Sequence, residues 1–257
     1  MSQECRDVRG CPTVAIAGGT RGLGAAVALA FAQKGCGVVL GYLSDDGCAH
    51  ETQQRVRLLG REAFLVKEDL STERGVEAFL AAARSASPEV TALVNCTAMR
   101  APGSVSLAET IAVLHRNVDA AIWCSEAFGA HFCQRGGGHI VNLTSTAAVL
   151  PISTPTARFY AAAKGAVESY SESLAARLAP SVLVNTVAPG LLADGRTTPP
   201  GGARSCYPDD AIPLRRRGRV EEVASLIVWL ILDNSYATGS TFVIDGGLTA
   251  TLPLPGQ

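Results

Sequence analysis

The chain has 257 residues, of which 47% are hydrophobic and 18% are charged, and its formal net charge at pH 7 is −1. This length and composition predict a compact protein with a well-buried core and exclude a disordered chain. The near-neutral charge provides no global field that would attract nucleic acid or a membrane surface, so we expect neither as a partner.

The N-terminal stretch MSQECRDVRG is polar and does not have the apolar core of a secretory signal. No uncharged apolar run approaches the ~18 residues that a membrane span needs. The eight cysteines are scattered, without a C-x-x-C pair, and no two histidines have ligand spacing. We therefore expect no metal site and a reduced, cytoplasmic protein whose thiols act as small hydrophobic groups.

Short β-branched runs alternate with helical segments from end to end. Most of the runs are continuously apolar, as a parallel sheet covered on both faces requires. The predicted strands are TVAIA (13–17), VVLGY (38–42), AFLV (63–66), ALVN (92–95), HIVNL (139–143), VLVNTV (182–187) and TFVID (241–245). The predicted helices are 22–34, 46–59, 72–84 with Ser71 as N-cap, about 106–134, 158–179 and 220–233.

The alternation of strands and helices predicts one α/β domain over residues 1–257. Its architecture is a single-domain, Rossmann-type doubly wound parallel sheet of about seven strands, with helices on both faces. The irregular segment 188–219 is rich in Gly, Pro and Arg and is too long for a plain connection. We expect its central part, about 191–215, to form a substrate loop.

The first predicted strand runs into the glycine turn AGGTRGLG (17–24), and a helix follows directly. Gly18, Gly22 and Gly24 have the spacing G-x-x-x-G-x-G, which differs from the G-x-G-x-x-G fingerprint. Glycines at the first strand–helix turn of such a sheet bring a phosphate close to backbone N–H groups and to the positive end of the helix. The turn therefore predicts a nucleotide phosphate site, and an ordinary tight turn is the alternative.

An ordered series of motifs covers nearly the whole chain and resembles the short-chain dehydrogenase/reductase family, in particular its 3-oxoacyl-ACP reductase-like ketoreductases. The series is GGTRGLG (18–24), Asn95, Asn117, Ser145 after HIVNLT, Tyr160-x-x-x-Lys164, APG (188–190) and VIDGG (243–247). The resemblance implies a nicotinamide cofactor and a homodimer or homotetramer. The long apolar helices also favour a symmetric assembly of either kind.

The end of the second strand bears on the choice of cofactor. An acidic residue there would bind a ribose 2′-hydroxyl and repel a 2′-phosphate, but Tyr42 stands at the expected position. Arg21 provides a guanidinium suited to a phosphate, and Ser44 adds a hydroxyl. These residues favour NADP(H) over NAD(H), whereas the nearby Asp45 and Asp46 argue in the other direction.

The resemblance also implies a set of cofactor contacts. Within this set, Asp69 is implied to contact the adenine, with a helix-cap role as its alternative. The implied cofactor-binding residues are Gly18, Thr20, Arg21, Gly22, Leu23, Gly24, Tyr42, Ser44, Asp69, Leu70, Asn95, Tyr160, Lys164, Pro189 and Gly190.

Tyr160 and Lys164 lie in line with an apolar stripe of the fifth predicted helix. The stripe has gaps of three and four residues and consists of Tyr160, Lys164, Val167, Ser171, Leu174 and Leu178. This spacing follows one face of a 3.6-residue helix and places the pair on the inward face. A positive charge beside a phenol lowers its pKa from the usual ~10 and makes it a usable general acid or base.

Ser145 follows the fifth strand, at the sheet edge where ligands bind in such folds. Its hydroxyl is suited to hydrogen-bond a substrate oxygen, and a helix or turn cap is the alternative. Only the resemblance selects Ser145 over Thr144 and Thr146. The resemblance also implies that Asn117 holds a water that links to Lys164, whereas a polar packing residue within a helix is the alternative.

The predicted function is the reversible, NADPH-dependent reduction of a ketone of a fairly apolar small molecule to an alcohol, in a biosynthetic context. Alternatives are enoyl reduction, imine reduction or dehydration on the same scaffold, and a non-catalytic NADP-binding protein. Three features depart from the family pattern. NCTA (95–98) replaces the usual Asn-Asn-Ala-Gly, so that Ala98 stands in place of the glycine, and Asp194 stands where a threonine is common. The loop 195–207 is unusually rich in Gly and Pro.

Overall fold

The computed structural model describes residues 12–87, 90–98, 106–150, 155–193 and 208–251. The strands are β1 Thr13–Ala17, β2 Val38–Tyr42, β3 Ala63–Lys67, β4 Val90–Asn95, β5 Gly138–Leu143, β6 Val182–Pro189 and β7 Thr241–Ile244. The helices are α1 Gly22–Gln33, α2 Asp46–Leu58, α3 Glu73–Ala86, α4 Leu107–Gln134, α5 Pro155–Leu178 and α6 Val220–Leu232. The predicted strand–helix alternation is confirmed.

The strands form one sheet in the order β3-β2-β1-β4-β5-β6-β7, and all neighbouring pairs are parallel. The winding direction reverses at β1, which lies between β2 and β4. A crevice opens at such a reversal, beyond the carboxyl ends of the strands. Ala17 at the end of β1 pairs with Gly41 of β2 and Asn95 of β4, so the segments that follow these three strands meet at this edge.

The core lies on both faces of the sheet. Alternate residues of β1 point to opposite sides. Val14 and Ile16 join a cluster with α1 and α6, whereas Ala15 and Ala17 join one with α3, α4 and α5. Because both faces are covered, the central strands are apolar throughout. This explains why their sequences do not alternate, and it confirms the predicted doubly wound α/β class.

Two predicted boundaries differ from the structure. The N-cap of α3 is Thr72, whose hydroxyl accepts from the N–H of Gly75 at 3.2 Å, so the prediction of Ser71 was wrong. The Ser71 hydroxyl instead donates to Asp69 Oδ1 at 2.6 Å in a charge-assisted bond, and the helix is capped one residue later by Thr72. Helix α5 begins at Pro155 rather than at 158, since proline is favoured in a first helical turn.

Part of the predicted substrate loop at 191–215 lies outside the described residues, namely 194–207, which include Asp194. The described remainder contains a short 3-10 turn at Asp209–Ala211. Across the ranges that the structure describes, the helices are all too short or too polar to cross a lipid bilayer.

Candidate active site

A cleft with a volume of about 630 Å³ lies at the carboxyl edge of the sheet, over the reversal between β1 and β4. It brings together residues that are far apart in the chain, from the glycine turn to the end of β6. The predicted site residues that line it are Gly18, Thr20, Arg21, Gly22, Leu23, Gly24, Tyr42, Ser44, Asp69, Leu70, Ser145, Tyr160, Lys164, Pro189 and Gly190. Asn95 and Asn117 are not part of the lining.

The glycine turn packs too tightly for side chains. A Cβ atom on Gly24 would lie 2.0 Å from the carbonyl oxygen of Gly18, and Gly18 itself has φ +74°, a conformation suited to glycine. No side chain caps the N-terminus of α1, and its first turn carries no acidic residue. The turn therefore presents backbone N–H groups and the positive helix end to the cleft, which fits the pyrophosphate of a dinucleotide.

The aspartates that follow β2 are both engaged in local interactions. Asp45 accepts from the N–H of Cys48 at 3.0 Å and caps α2. Asp46 accepts from the Tyr42 hydroxyl at 2.9 Å and from Lys67 Nζ at 2.6 Å. From their position in the sequence alone, these carboxylates argue against a 2′-phosphate. In the fold, Asp45 caps α2, and Asp46 forms an ion pair with Lys67.

Asp69 and Leu70 follow β3 on the cleft wall. The Asp69 carboxylate accepts from the hydroxyl and N–H of Ser71, at 2.6 and 3.0 Å, and these bonds lower its pKa. Arg116 of α4, which the sequence analysis did not identify, also lines the cleft, and its charge lowers the same pKa. Asp69 is thus an ionised acceptor at the cleft, and α3 is capped by Thr72 instead.

Lys164 is buried, with 2% of its surface exposed, and is firmly anchored. Its ammonium donates to the carbonyl oxygens of Leu143 at 2.8 Å and Thr97 at 3.1 Å. It lies 5.8 Å from the centre of the Tyr160 ring. Burial lowers the pKa of Lys164 to about 8. The side chains that continue the stripe toward the end of α5 are buried as well, which confirms the predicted inward face: Val167, Ser171, Leu174 and Leu178.

The structure distinguishes Ser145 from its two threonine neighbours. The Thr144 and Thr146 side chains are buried, and their hydroxyls donate to the carbonyl oxygens of Val187 and Pro189. Ser145 is partly exposed on the cleft wall, and its oxygen accepts from the N–H of Ala147 at 3.2 Å. The serine therefore caps a short 3-10 helix, and its hydroxyl hydrogen remains available as a donor toward the cleft.

The two asparagines named from the sequence lie behind the cleft wall. Asn117 is fully buried in α4, and its amide donates to the carbonyl oxygen of Val113 at 2.7 Å, which is a helix-packing contact. Its predicted role in holding a water stays a prediction. The Asn95 amide donates to Asn142 Oδ1 at 2.7 Å and to Ser125 Oγ at 3.1 Å. These bonds engage the Asn95 side chain in a buried polar network behind the cleft wall, and its predicted role as a cofactor contact stays a prediction.

Further cleft residues were not identified from the sequence as contacts. Those directly after β4 share the carboxyl edge with the glycine turn, so their position was a usable signal. The others reach the cleft through tertiary packing and have no local signature. These additional residues are Leu43, Asp45, Glu68, Ser71, Cys96, Thr97, Ala98, Arg116, Ala120, Leu143, Thr144 and Leu192.

Comparisons with known proteins agree with this fold and cleft. A family model described as "Enoyl-(Acyl carrier protein) reductase" matches residues 17–249. A 3β-hydroxysteroid dehydrogenase from Eggerthella lenta is 32% identical over 95% of this chain and 95% of its own length. The chain belongs to the short-chain dehydrogenase/reductase family, whose members are oxidoreductases that bind a nicotinamide cofactor.

Solved structures show the same likeness. The acetoin dehydrogenase of Enterobacter cloacae superimposes with a TM-score of 0.81 at 32% identity, covering 95% of this chain and 97% of that one. A short-chain type dehydrogenase/reductase from Mycobacterium marinum has a TM-score of 0.81 at 26% identity, covering 93% of this chain and 95% of its own. The similarity of the fold therefore extends over nearly the whole chain.

Proposed function

We propose that this protein uses NADPH to reduce a ketone of a fairly apolar small molecule to an alcohol, in a reversible reaction. One observation carries the proposal: the Tyr160 phenol and the Ser145 hydroxyl share a cleft with the glycine turn, and the Lys164 ammonium lies 5.8 Å from the Tyr160 ring. A proton donor, a hydrogen-bond donor for the substrate oxygen and a nucleotide site are thereby combined in one cleft.

The bound nicotinamide would supply the hydride, and the side chains supply position and the proton. The glycine turn and the start of α1 hold the pyrophosphate. Ser145 donates a hydrogen bond to the substrate oxygen and fixes its place. Tyr160 transfers the proton of its phenol to that oxygen. The positive charge of Lys164 favours the phenolate that Tyr160 becomes.

The chemistry of the cleft supports an apolar substrate. Leu143 and Leu192 line the same cleft as Tyr160 and Ser145. The E. lenta relative is named for a hydroxysteroid, an alcohol on an apolar skeleton. We further propose a biosynthetic role in the cytoplasm, which fits a chain of near-neutral charge whose described cysteines form no disulfide.

The end of β2 supports the choice of NADP(H). Tyr42 stands where we expect the carboxylate that would bind a 2′-hydroxyl, and Arg21 and Ser44 line the same cleft. Substituting Arg21→Ala should weaken NADPH binding more than NADH binding, because only NADPH carries the 2′-phosphate. Equal weakening of both would remove Arg21 from this role.

The description of the matching family model favours a second candidate, which is reduction of a carbon–carbon double bond on the same scaffold. The decisive experiment measures NADPH consumption with a panel of ketones, enones and imines. Ketone turnover that Tyr160→Phe abolishes, with NADPH binding retained, supports the first proposal. Turnover of enones alone supports the second, and NADPH binding without turnover of any compound would indicate a non-catalytic protein.

A further inference from the structure

A three-residue cluster joins the carboxyl ends of β2 and β3 to the first residue of α2. Tyr42 ends β2 and pairs in register with Lys67, which ends β3. Asp46 lies between them: one carboxylate oxygen accepts from the Tyr42 hydroxyl at 2.9 Å and the other from Lys67 Nζ at 2.6 Å. We call these three residues the β2–β3 cluster.

The β2–β3 cluster borders the cleft. Tyr42, Ser44 and Asp45 line the wall at this end, together with Arg21. The Asp46 carboxylate is one hydrogen bond behind the Tyr42 side chain. A negative charge in this position would repel a phosphate bound against the same wall. The Lys67 ammonium cancels that charge locally, and both hydrogen bonds keep the carboxylate turned toward the cluster.

The exposure of the pair argues against a mainly structural role. The side chains of Lys67 and Asp46 are 52% and 53% exposed. Ion pairs this exposed to water contribute little to folding stability, because water screens the charges. The hydrogen bond between Lys67 and Asp46 lowers the pKa of the Asp46 carboxyl and raises the pKa of the Lys67 amine, so both groups are charged at neutral pH. The main effect of the Lys67 charge is therefore electrostatic, on a charged ligand group bound against the neighbouring cleft wall.

We propose that Lys67 determines cofactor specificity as a positioning residue: by neutralising Asp46 and holding it against Tyr42, it allows the cleft to accept an adenosine 2′-phosphate. Lys67 is not part of the cleft lining and acts through Asp46. This role of Lys67 rests on the proposed preference for NADP(H). It explains how a cleft with Asp46 nearby accepts a 2′-phosphate.

The test is a double-mutant cycle with Lys67→Met, Asp46→Asn and the double variant. Dissociation constants for NADPH and NADH are measured by fluorescence titration at low salt. Lys67→Met should weaken NADPH binding by about threefold to tenfold, because it leaves one carboxylate charge unmasked near the 2′-phosphate in a medium between water and a protein surface. NADH binding should change less than about twofold, because NADH lacks the 2′-phosphate. Adding Asp46→Asn should restore the NADPH affinity.

Lys34→Met is the matched control. It removes the same charge at the C-terminal end of α1. That end is about 18 Å from the glycine turn for a helix of twelve residues. Its NADPH-to-NADH affinity ratio should equal that of the wild type. The ratio for Lys67→Met should also approach the wild-type value in high salt, because mobile ions screen exposed charges.

Two results would overturn the proposal. One is an equal loss of NADPH and NADH affinity in Lys67→Met, which would mean a general structural role. The other is a loss of NADPH affinity that Asp46→Asn fails to restore. The wild-type affinity ratio is a separate readout. A wild type that prefers NADH would refute the proposed cofactor, whereas the cycle would still report whether Lys67 shifts the ratio.

Discussion

The ammonium of Lys164 donates a hydrogen bond to the main-chain oxygen of Thr97 at 3.1 Å, and so ties α5 to the segment that follows β4. A second bond, to the carbonyl oxygen of Leu143, ties it to the end of β5. The segment after β4 is where the sequence departs from the family pattern. Because the contact uses a backbone oxygen, the substituted side chains leave the lysine anchor intact. Ala98 itself lines the cleft.

The buried amine of Lys164 should make stability depend on pH. Burial lowers its pKa from 10.5 to about 8, so between these values the unfolded chain binds more protons than the folded chain. Stability from this group therefore rises with pH across that window, since the burial penalty on the charged amine disappears. We expect the stability of wild type relative to Lys164→Met to increase by up to about 3 kcal/mol from pH 7 to 10.5.

The measurement is chemical denaturation of both proteins at several pH values. Groups that titrate equally in both proteins cancel in the difference. A stability difference that is constant over this range would contradict the lowered pKa. A stability difference that falls with rising pH would mean that folding raises the pKa of Lys164.

The glycine turn should not tolerate a side chain at Gly24. A Cβ there would lie 2.0 Å from the Gly18 oxygen, so Gly24→Ala must displace the turn from α1. We expect a loss of about 2–3 kcal/mol in unfolding free energy and weaker NADPH binding. Gly165→Ala is the matched control, because a Cβ on Gly165 meets no atom within 4 Å. Alanine in this helix should be neutral or stabilising by up to about 1 kcal/mol.

Thermal melts and NADPH titration measure both glycine variants. Unchanged NADPH affinity in Gly24→Ala would argue against the glycine turn as the phosphate site. An equal destabilisation by both substitutions would show that the close approach at Gly24 has no special importance.

A buried polar network beneath the cleft should be essential for stability. Asn142 accepts from Asn95 at 2.7 Å and from Ser125 at 3.2 Å, and its amide donates to Ser171 at 2.8 Å. Asn142→Leu would leave these buried polar groups without that partner, and we expect a loss of about 2–3 kcal/mol. Ser125→Ala removes fewer bonds and should cost about 1 kcal/mol. Urea denaturation of both variants measures the loss in unfolding free energy. Equal and small losses for the two variants would contradict the importance of the network.

The predicted homodimer or homotetramer can be tested on the outer face of α4. Trp123 of this helix is 50% exposed, which is unusual for so large an apolar side chain. We expect Trp123→Glu to reduce the molar mass in solution, because a charge would be buried at a self-association surface. Tyr236→Glu is the control, with a side chain that is 95% exposed in a loop. A monomeric wild type in light scattering would refute the assembly.

Where local pattern determines structure, the sequence was sufficient. The gaps of four and three residues from Tyr160 to Leu178 predicted the inward face of α5, because helix geometry alone decides which residues share a face. The glycine turn was recognisable because α1 begins within it. The N-cap of α3 was misplaced by one residue, since Ser71 and Thr72 are both good caps. The Asp69 carboxylate, which accepts a hydrogen bond from the Ser71 hydroxyl, comes into position only once the chain turns after β3.

The sequence by itself therefore determined the doubly wound fold, the glycine turn between β1 and α1 and the common helix face of Tyr160 and Lys164, all of which follow from periodicity and order along the chain. Only the tertiary structure buried the Thr144 and Thr146 side chains while leaving Ser145 partly exposed on the cleft wall, engaged the Asn95 side chain with Asn142 and Ser125, and gave Asp46 a basic partner. These outcomes depend on contacts between distant strands and helices. Burial and hydrogen-bond partners are set by such contacts, and spacing along the chain does not encode them.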